Sequence, residues 1–305
     1  MSKNNLGSWL RITRFQFYPM TWLAYTVGAL CSSKILDKFD MGIYILGYLA
    51  LFLIEFATVV SNEYYDYETD KINKNYSQFT GGSRMIVDGK ITFNQARNAI
   101  LLSLALAFSL GIILSLKYNI YAFFILSLGV LLGLAYTVPP LKLSYRGLGE
   151  IDVGITHSFY IVLAGFLLQS PTLNSILPWL VSIPLFFSIF GAIILAGFPD
   201  YESDKEIGKR TLTVILGKRN ASLISVLSIL ISMIFSIFIL YSGILGFASM
   251  IFLIVIIHGI VVLYFLFTLL MANTIEARID KLLQISLAYI LWFTIVPLLY
   301  LLNIF

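Results

Sequence analysis

Long apolar runs alternate with short polar stretches along the whole chain. Nine of them are long enough to cross a membrane: roughly Phe15 to Ser33, Met41 to Val60, Ala99 to Leu116, Ile120 to Val138, Ile151 to Leu168, Ile176 to Phe198, Ala221 to Tyr241, Gly246 to Met271, and Leu282 to Leu302. A helix needs about 20 apolar residues to span the hydrocarbon. Lipid offers no partner to a bare amide, so a spanning segment is helical or part of a closed barrel. These runs are long and continuous, which selects helices. The pattern predicts an all-α fold, a polytopic membrane bundle of nine transmembrane helices. No polar linker divides it, so residues 1–305 read as a single integral membrane domain.

Composition agrees. Hydrophobic residues make up 59% of the chain and charged residues 12%, with a mean hydropathy of +0.91. A soluble domain carries about 25% charged residues, so a soluble enzyme is excluded. Lys3, Arg11 and Arg14 precede the first apolar run, which continues through Tyr, Trp and Met without a small-residue cleavage site. It reads as a first span rather than a signal peptide. Cys31 is the only cysteine, so neither an intrachain disulfide nor a thiolate metal cluster can form.

Charge adds an orientation. On the nine-span pattern, 17 of the 20 basic residues fall at one membrane face, and only Lys34, Lys38 and Lys117 fall at the other. Lys and Arg accumulate on the cytoplasmic side, so that face is expected to be cytoplasmic, in the plasma membrane of a prokaryote. Thirteen of the 16 carboxylates collect there too; Asp37 and Asp40 lie opposite and Glu55 lies within the second span. Acidic residues contribute little to orientation, so the acids at that face need another explanation.

The chain repeats itself at this face. The second span leaves the membrane as Asn62-Glu-Tyr-Tyr-Asp66-Tyr-Glu-Thr-Asp70-Lys71, and the sixth as Ala196-Gly-Phe-Pro-Asp200-Tyr-Glu-Ser-Asp204-Lys205. Asp-Tyr-Glu-(Thr/Ser)-Asp-Lys thus occurs twice at matched span ends, which marks a pseudo-repeat. Residues four apart share one helix face. Asn62, Asp66 and Asp70 therefore form one oxygen-bearing stripe, and Asp200 and Asp204 another. Facing carboxylate stripes repel in a poorly hydrated site unless cations intervene. Oxygen ligands without His or Cys favour a hard ion, and Mg²⁺ takes one or two carboxylates plus phosphate oxygens and water. Two Mg²⁺ sites around a diphosphate are expected. Glu63, Glu68, Glu202 and Glu206 fall off the stripes and read as solvated charges.

With these residues in place, the chain resembles the UbiA superfamily of intramembrane aromatic prenyltransferases, whose members carry N-x-x-x-D-x-x-x-D and D-x-x-x-D motifs. Asn62, Asp66 and Asp70 match the first motif, and Asp200 and Asp204 the second. Many members have Asn or Asp four residues before the second motif, where this chain has Ala196. Thr80-Gly-Gly-Ser-Arg84, Tyr136-Thr-Val-Pro-Pro-Leu-Lys142 and Gly208-Lys209-Arg210-Thr211 also look like segments of this family. They are most similar to the branch acting on 1,4-dihydroxy-2-naphthoate in menaquinone synthesis. The resemblance implies Mg²⁺-dependent transfer of an isoprenyl chain from a prenyl diphosphate to an aromatic acceptor.

The same loops suit a diphosphate physically. Gly81-Gly82 allows close backbone approach. Arg84, Lys142, Lys205 and Lys209 offer charge-assisted hydrogen bonds to phosphate oxygens, and Ser83 and Tyr136 join them as expected diphosphate contacts. The metals and cations would stabilise charge as the allylic carbon–oxygen bond breaks, and Tyr64, Tyr65 and Tyr136 are candidates to shield the resulting cation. A lateral opening would let a long tail stay in lipid. Glu55, at membrane depth, could bind acceptor hydroxyls, take up the released proton, or hydrogen-bond between helices in protonated form. Asp152 and His157 are weaker candidates, and His258 reads as a satisfied packing residue.

Alternative acceptors are 4-hydroxybenzoate and a glycerol-phosphate ether-lipid precursor. An ion- or proton-coupled transporter is the reading of another class, but its site would lie near the midplane between interrupted spans. The expected partners are the two substrates and the bilayer, with no nucleic acid and no required protein partner.

Overall fold

The computed structural model describes residues 5–77, 79–170, 172, 175–272 and 274–304. Lys3, counted above toward orientation, lies outside them. The described residues form thirteen α-helices: α1 (Asn5–Thr13), α2 (Tyr18–Leu36), α3 (Met41–Tyr65), α4 (Tyr67–Ile72), α5 (Phe93–Lys117), α6 (Ala122–Ala135), α7 (Gly149–Ile155), α8 (Ile161–Gln169), α9 (Leu177–Ala196), α10 (Tyr201–Ile207), α11 (Leu212–Ser242), α12 (Phe252–Met271) and α13 (Asp280–Leu301). The π-helical turn Thr156–Tyr160 joins α7 to α8 in one rod. The fold is all-α, as the apolar pattern predicts.

Helix length and apolar character bear out seven of the nine expected spans. Among the described residues, seven helices are long and apolar enough to cross a membrane. The two other expected spans are helical but fall short. α6 has 14 residues, about 21 Å at 1.5 Å per residue, against a hydrocarbon core of about 30 Å. α2 has 19 residues but carries Thr21, Thr26, Ser32, Ser33 and Lys34 among its apolar positions.

Local chemistry fixes the helix ends. Asp40 caps α3 by accepting from Ile43 N at 3.0 Å. Thr92 and Gln95 form a reciprocal capping box at α5, and Thr211 accepts from Val214 N to start α11. In α11, Gly217 (φ 75°, ψ 155°) interrupts the helix, so its first turn belongs to the polar loop and the rest to the span.

Small residues bring the helices together. A Cβ at Gly28 would overlap the Val162 carbonyl, and one at Gly165 the Tyr25 carbonyl, so α2 and α8 touch backbone to backbone. Ser225 of α11 donates to Gly191 O of α9 at 3.0 Å. Lipid tails are as apolar as the side chains, so close packing of this kind, rather than hydrophobicity, drives association. The C-terminal ends of α3, α6 and α9 and the N-terminal ends of α2, α7, α11 and α13 meet at one end of the bundle, around a single cavity.

Candidate active site

Neither Asp motif lies on an unbroken helix, which corrects the expected straight stripes. α3 stops at Tyr65 and α4 starts at Tyr67, with Asp66 between them at φ −93°, ψ 10°. The second motif bends likewise, with α9 ending at Ala196 and Asp200 preceding α10. Backbone bonds Asp66 N to Asn62 O (2.9 Å), Asp70 N to Asp66 O (2.9 Å) and Asp204 N to Asp200 O (2.8 Å) carry a helical advance through the bends. Asn62 and all four Asp residues therefore still line the same cavity.

Lys209 joins the two motifs. Its Nζ donates to Asp66 Oδ2 at 2.9 Å and lies 3.6 Å from Asp204 Oδ1. Asn73 Nδ2 donates to Asp200 Oδ1 at 2.6 Å. An amide from the end of the first motif thus reaches the second motif, whose own upstream position is Ala196. Tyr145 Oη donates to Asp66 Oδ1 at 2.9 Å.

The charge balance is unfavourable without further cations. Asp66, Asp70, Asp204 and Lys209 are all buried. Burial pushes the Asp204 carboxyl up to about 7 against the pull of Lys209, and it raises Asp200 as well. Asp70 rises well above the usual carboxylate range through burial and the neighbouring charges of Glu63 and Asp66. Burial lowers the Lys209 ammonium, but Asp66 and Asp204 outweigh that and hold it well above its ordinary value. Asp70 Oδ2 is buried without a hydrogen-bond partner among the described residues. The Lys209 ammonium and the Arg14 guanidinium against four carboxylates, with an orphaned oxygen among them, leave an acidic excess that suits hard divalent cations. Among the described residues no three His, Cys, Asp or Glu side chains form a ready-made ion cage. An ion here would complete its shell with phosphate oxygens and water.

The Gly81-Gly82-Ser83 loop presses on the first motif. Gly81 and Gly82 have φ of 75° and 70°, and a Cβ on Gly82 would overlap Asp70 Oδ2. Glu63, buried in α3, accepts from both Ser83 N and Ser83 Oγ, the latter at 2.9 Å. It therefore fastens the loop to the helix that carries Asp66. The expectation that Glu63 is solvated is corrected: it lies about 100° around the helix from Asn62, and that side is covered by the loop.

Of the expected diphosphate contacts, Tyr136 and Lys209 line the cavity. The other four do not. Ser83 is engaged by Glu63, and Arg84 Nη1 donates to Asp70 O at 2.7 Å while its guanidinium stacks on Tyr76. Lys142 sits over the Tyr145 ring at 3.7 Å. Lys205 is exposed, 5.8 Å from the Tyr201 ring centre, because it is on the outer side of α10. Tyr64 packs edge-on against Phe93, and Tyr65 is exposed. The aromatic residues that do face the cavity are Phe17, Phe79, Tyr136 and Tyr160.

Arg14, read from the sequence only as a topology marker, lines the cavity and donates from Nη2 to Phe79 O at 2.8 Å. Glu150 also lines it, accepting from Leu212 N at 2.9 Å through Oε1 and leaving Oε2 without a partner. Asn73 had a sequence signal, since it stands seven residues after Asp66 and so returns to nearly the same helix face. Tyr145 had none, because only folding brings the loop after α6 across to Asp66.

Below the carboxylates the cavity, of about 320 Å³, turns apolar, with one polar belt of Thr21, Glu55, Asp152, Thr156 and His157. Glu55 Oε1 accepts from Thr21 Oγ1 at 3.1 Å, and its Oε2 is buried without a partner. His258 lies elsewhere, between Ile285 O and Trp292 Nε1 at 3.1 and 3.0 Å, as a packing residue would.

A model of the UbiA prenyltransferase family matches residues 21–302. The 1,4-dihydroxy-2-naphthoate octaprenyltransferase of Bacillus subtilis is 29% identical over 185 residues, which span 60% of this chain and 58% of that protein, under two thirds of its length. The digeranylgeranylglyceryl phosphate synthase of Saccharolobus solfataricus is 32% identical over 234 residues, spanning 75% of this chain and 77% of that protein. A solved structure of a UbiA homologue from Archaeoglobus fulgidus bound to GPP and Mg²⁺ shares the fold with a TM-score of 0.65 at 17% identity, covering 95% of this chain and 99% of that one. With apolar helices embedding it in a membrane and a family match that runs through both Asp motifs, the chain belongs to the UbiA prenyltransferase family and is an integral membrane prenyltransferase.

Proposed function

We propose that the chain transfers an isoprenyl group from a prenyl diphosphate to the aromatic ring of a menaquinone-type acceptor, in a Mg²⁺-dependent reaction. The observation that carries this reading is the juxtaposition of two buried Asp motifs, joined through Lys209, at the polar mouth of an otherwise apolar cavity. Asn62, Asp66, Asp70, Asp200 and Asp204 are the residues that would hold the metal. Mg²⁺, when bound, supplies positive charge against the departing diphosphate.

Lys209 and Arg14 are the cavity's cations for phosphate oxygens, giving fixed charge where negative charge grows. The apolar walls exclude water from the allylic cation, which would otherwise be hydrolysed. Phe79, Tyr136 and Phe17 offer ring faces to it. The acceptor ring attacks the allylic carbon as its bond to the diphosphate oxygen breaks, and the ring proton then passes to a base as aromaticity returns.

A second reading, transfer to a prenylglyceryl phosphate hydroxyl, is favoured by the synthase from Saccharolobus solfataricus, which aligns over more of the chain. Purified protein with Mg²⁺, labelled prenyl diphosphates and a panel of 1,4-dihydroxy-2-naphthoate, 4-hydroxybenzoate and a prenylglyceryl phosphate separates the two. The expected result is naphthoate prenylation, falling at least about 100-fold in Asp66→Ala and Asp200→Ala, the scale of losing fixed charge stabilisation. Full turnover in either variant would defeat the reading.

The site end of the bundle is proposed to face the cytoplasm of a prokaryotic cell, because the basic residues concentrate there. In a Cys31→Ser background, Asn75→Cys should react with an impermeant maleimide in inverted vesicles and not in intact cells.

A further inference from the structure

Below the carboxylates the walls of the cavity differ in polarity. Met20 of α2 and Leu283, Leu287 and Ile290 of α13 make one side apolar. Between α2 and α3, Thr21 already donates to Glu55. The rod of α7 and the π turn supplies a second polar patch, Asp152, Thr156 and His157.

Cavity-lining positions on this rod fall in two rows four residues apart: Asp152, Thr156 and Tyr160 in one, Val153, His157 and Ile161 in the other. In an α-helix of about 3.6 residues per turn such rows drift by about 40° at each step. The wider turn at Thr156–Tyr160 offsets that drift and keeps His157 on the same wall as Asp152.

Asp152 is only 6% exposed, yet among the described residues its carboxylate has no hydrogen bond or ion pair. The nearby Thr156 hydroxyl is turned to the Asp152 backbone oxygen, at 2.7 Å. His157 Nδ1 lies 3.1 Å from Val153 O. A carbonyl only accepts, so Nδ1 carries the proton, and Nε2 of the neutral ring presents a lone pair. Two hydrogen-bond acceptors thus share one wall with no donor for either among the described residues, and an unpaired carboxylate in such a place is costly.

The pair lies close to the reacting end. Asp152 stands two residues after Glu150, about 3 Å along the helix, and Glu150 Oε1 accepts from Leu212 N in the segment that follows Lys209. Lys209 in turn binds Asp66. His157 lies about 7.5 Å further down the rod, with the apolar Val153 and Ile161 beside it.

We propose that Asp152 and His157 hold the hydroxyl groups of the acceptor ring, so that this wall selects a hydroxyl-bearing aromatic. This rests on the prenyl diphosphate reading above. A hydroxyl donating to Asp152 makes a charge-assisted hydrogen bond, and the carboxylate pushes electron density into the ring that attacks the allylic carbon. The apolar side toward α13 is left to the donor's hydrocarbon, and the ring lies on Val153 and Ile161.

The test separates acceptor from donor. Binding of labelled geranylgeranyl diphosphate with Mg²⁺ is measured without acceptor, and the acceptor KM is measured with 1,4-dihydroxy-2-naphthoate. Asp152→Ala should raise that KM by about 10- to 100-fold, the usual cost of a lost hydrogen bond to a charged group, and leave donor binding within about twofold. Asp152→Asn keeps the shape and an acceptor oxygen and should lose less, about 3- to 10-fold; His157→Phe should lose a similar amount. The 1,4-dimethoxy analogue, used as a competitive inhibitor, cannot donate. The wild type should favour the dihydroxy compound over it by about tenfold or more, and Asp152→Ala should narrow that gap to about threefold. A merely structural role would leave the preference as it is. An unchanged KM, or an unchanged preference, in both Asp152→Asn and His157→Phe would overturn the assignment even if Asp152→Ala does not fold. Parallel loss of donor and acceptor binding in those two variants would overturn it too. Turnover of a prenylglyceryl phosphate and none of the naphthoate would defeat the aromatic acceptor and this assignment together. No donor binding by the wild type would remove the diphosphate reading itself.

Discussion

Lys209 stands between carboxylates contributed by two distant parts of the chain, and breaking such a buried pair leaves an uncompensated charge. The sequence marked it as one of four similar cations near the motifs; burial and the 2.9 Å contact with Asp66 set it apart. Glu63 makes the same point for the acids. Its neighbours in sequence gave it no distinction, yet it ties Ser83 and hence the Gly-Gly turn against Asp70. It acts through the loop, so its role is positioning. Glu63→Ala should raise the Mg²⁺ concentration for half-maximal activity by about 10- to 100-fold, the usual cost of removing an outer partner of a metal site. Glu63→Gln keeps an acceptor for Ser83 N and should recover most of that loss. Equal Mg²⁺ requirements in all three proteins would rule the positioning role out.

Helices read reliably from the apolar runs because lipid leaves a spanning backbone few options, but their interruptions did not. The bends at Asp66 and before Asp200, the π turn at 156–160 and the break at Gly217 leave no mark in hydropathy, since the residues on either side remain apolar or motif-like. These irregularities are what aim side chains into the cavity. The contact of α2 with α8 also depends on particular glycines rather than on apolar character. Gly28→Val places a side chain into the Val162 carbonyl and should lower stability by about 1–3 kcal/mol through overpacking. Thermal unfolding in detergent measures this, and an unchanged midpoint would show that the helices can separate freely.

For the whole molecule, the gathering of buried acids at one end predicts that folding is sensitive to pH and metal together. Without metal, burial raises Asp204 to about 7 and also raises Asp70 and Asp200. Their unfolded values lie near 4. The folded state then binds more protons than the unfolded one, so this contribution is present at low pH and is lost as pH rises through the folded values. Lys209, raised above its ordinary value, keeps its charge throughout that range. The midpoint of chelator-treated protein should therefore fall between about pH 5 and pH 8, and Mg²⁺ should flatten the fall by supplying the missing positive charge. Parallel pH profiles with and without Mg²⁺ would exclude these acids as the source. The sequence by itself determined the all-helical membrane class, the gathering of acids at one end of the bundle and the duplicated Asp motif, because lipid forces backbone hydrogen bonding inward and helical spacing fixes which residues share a side. Only the tertiary structure decided which cations reach the carboxylates and that Asn73, Tyr145 and Glu63 support them. Those contacts join residues far apart in the chain, and their distances are set by how closely the helices pack.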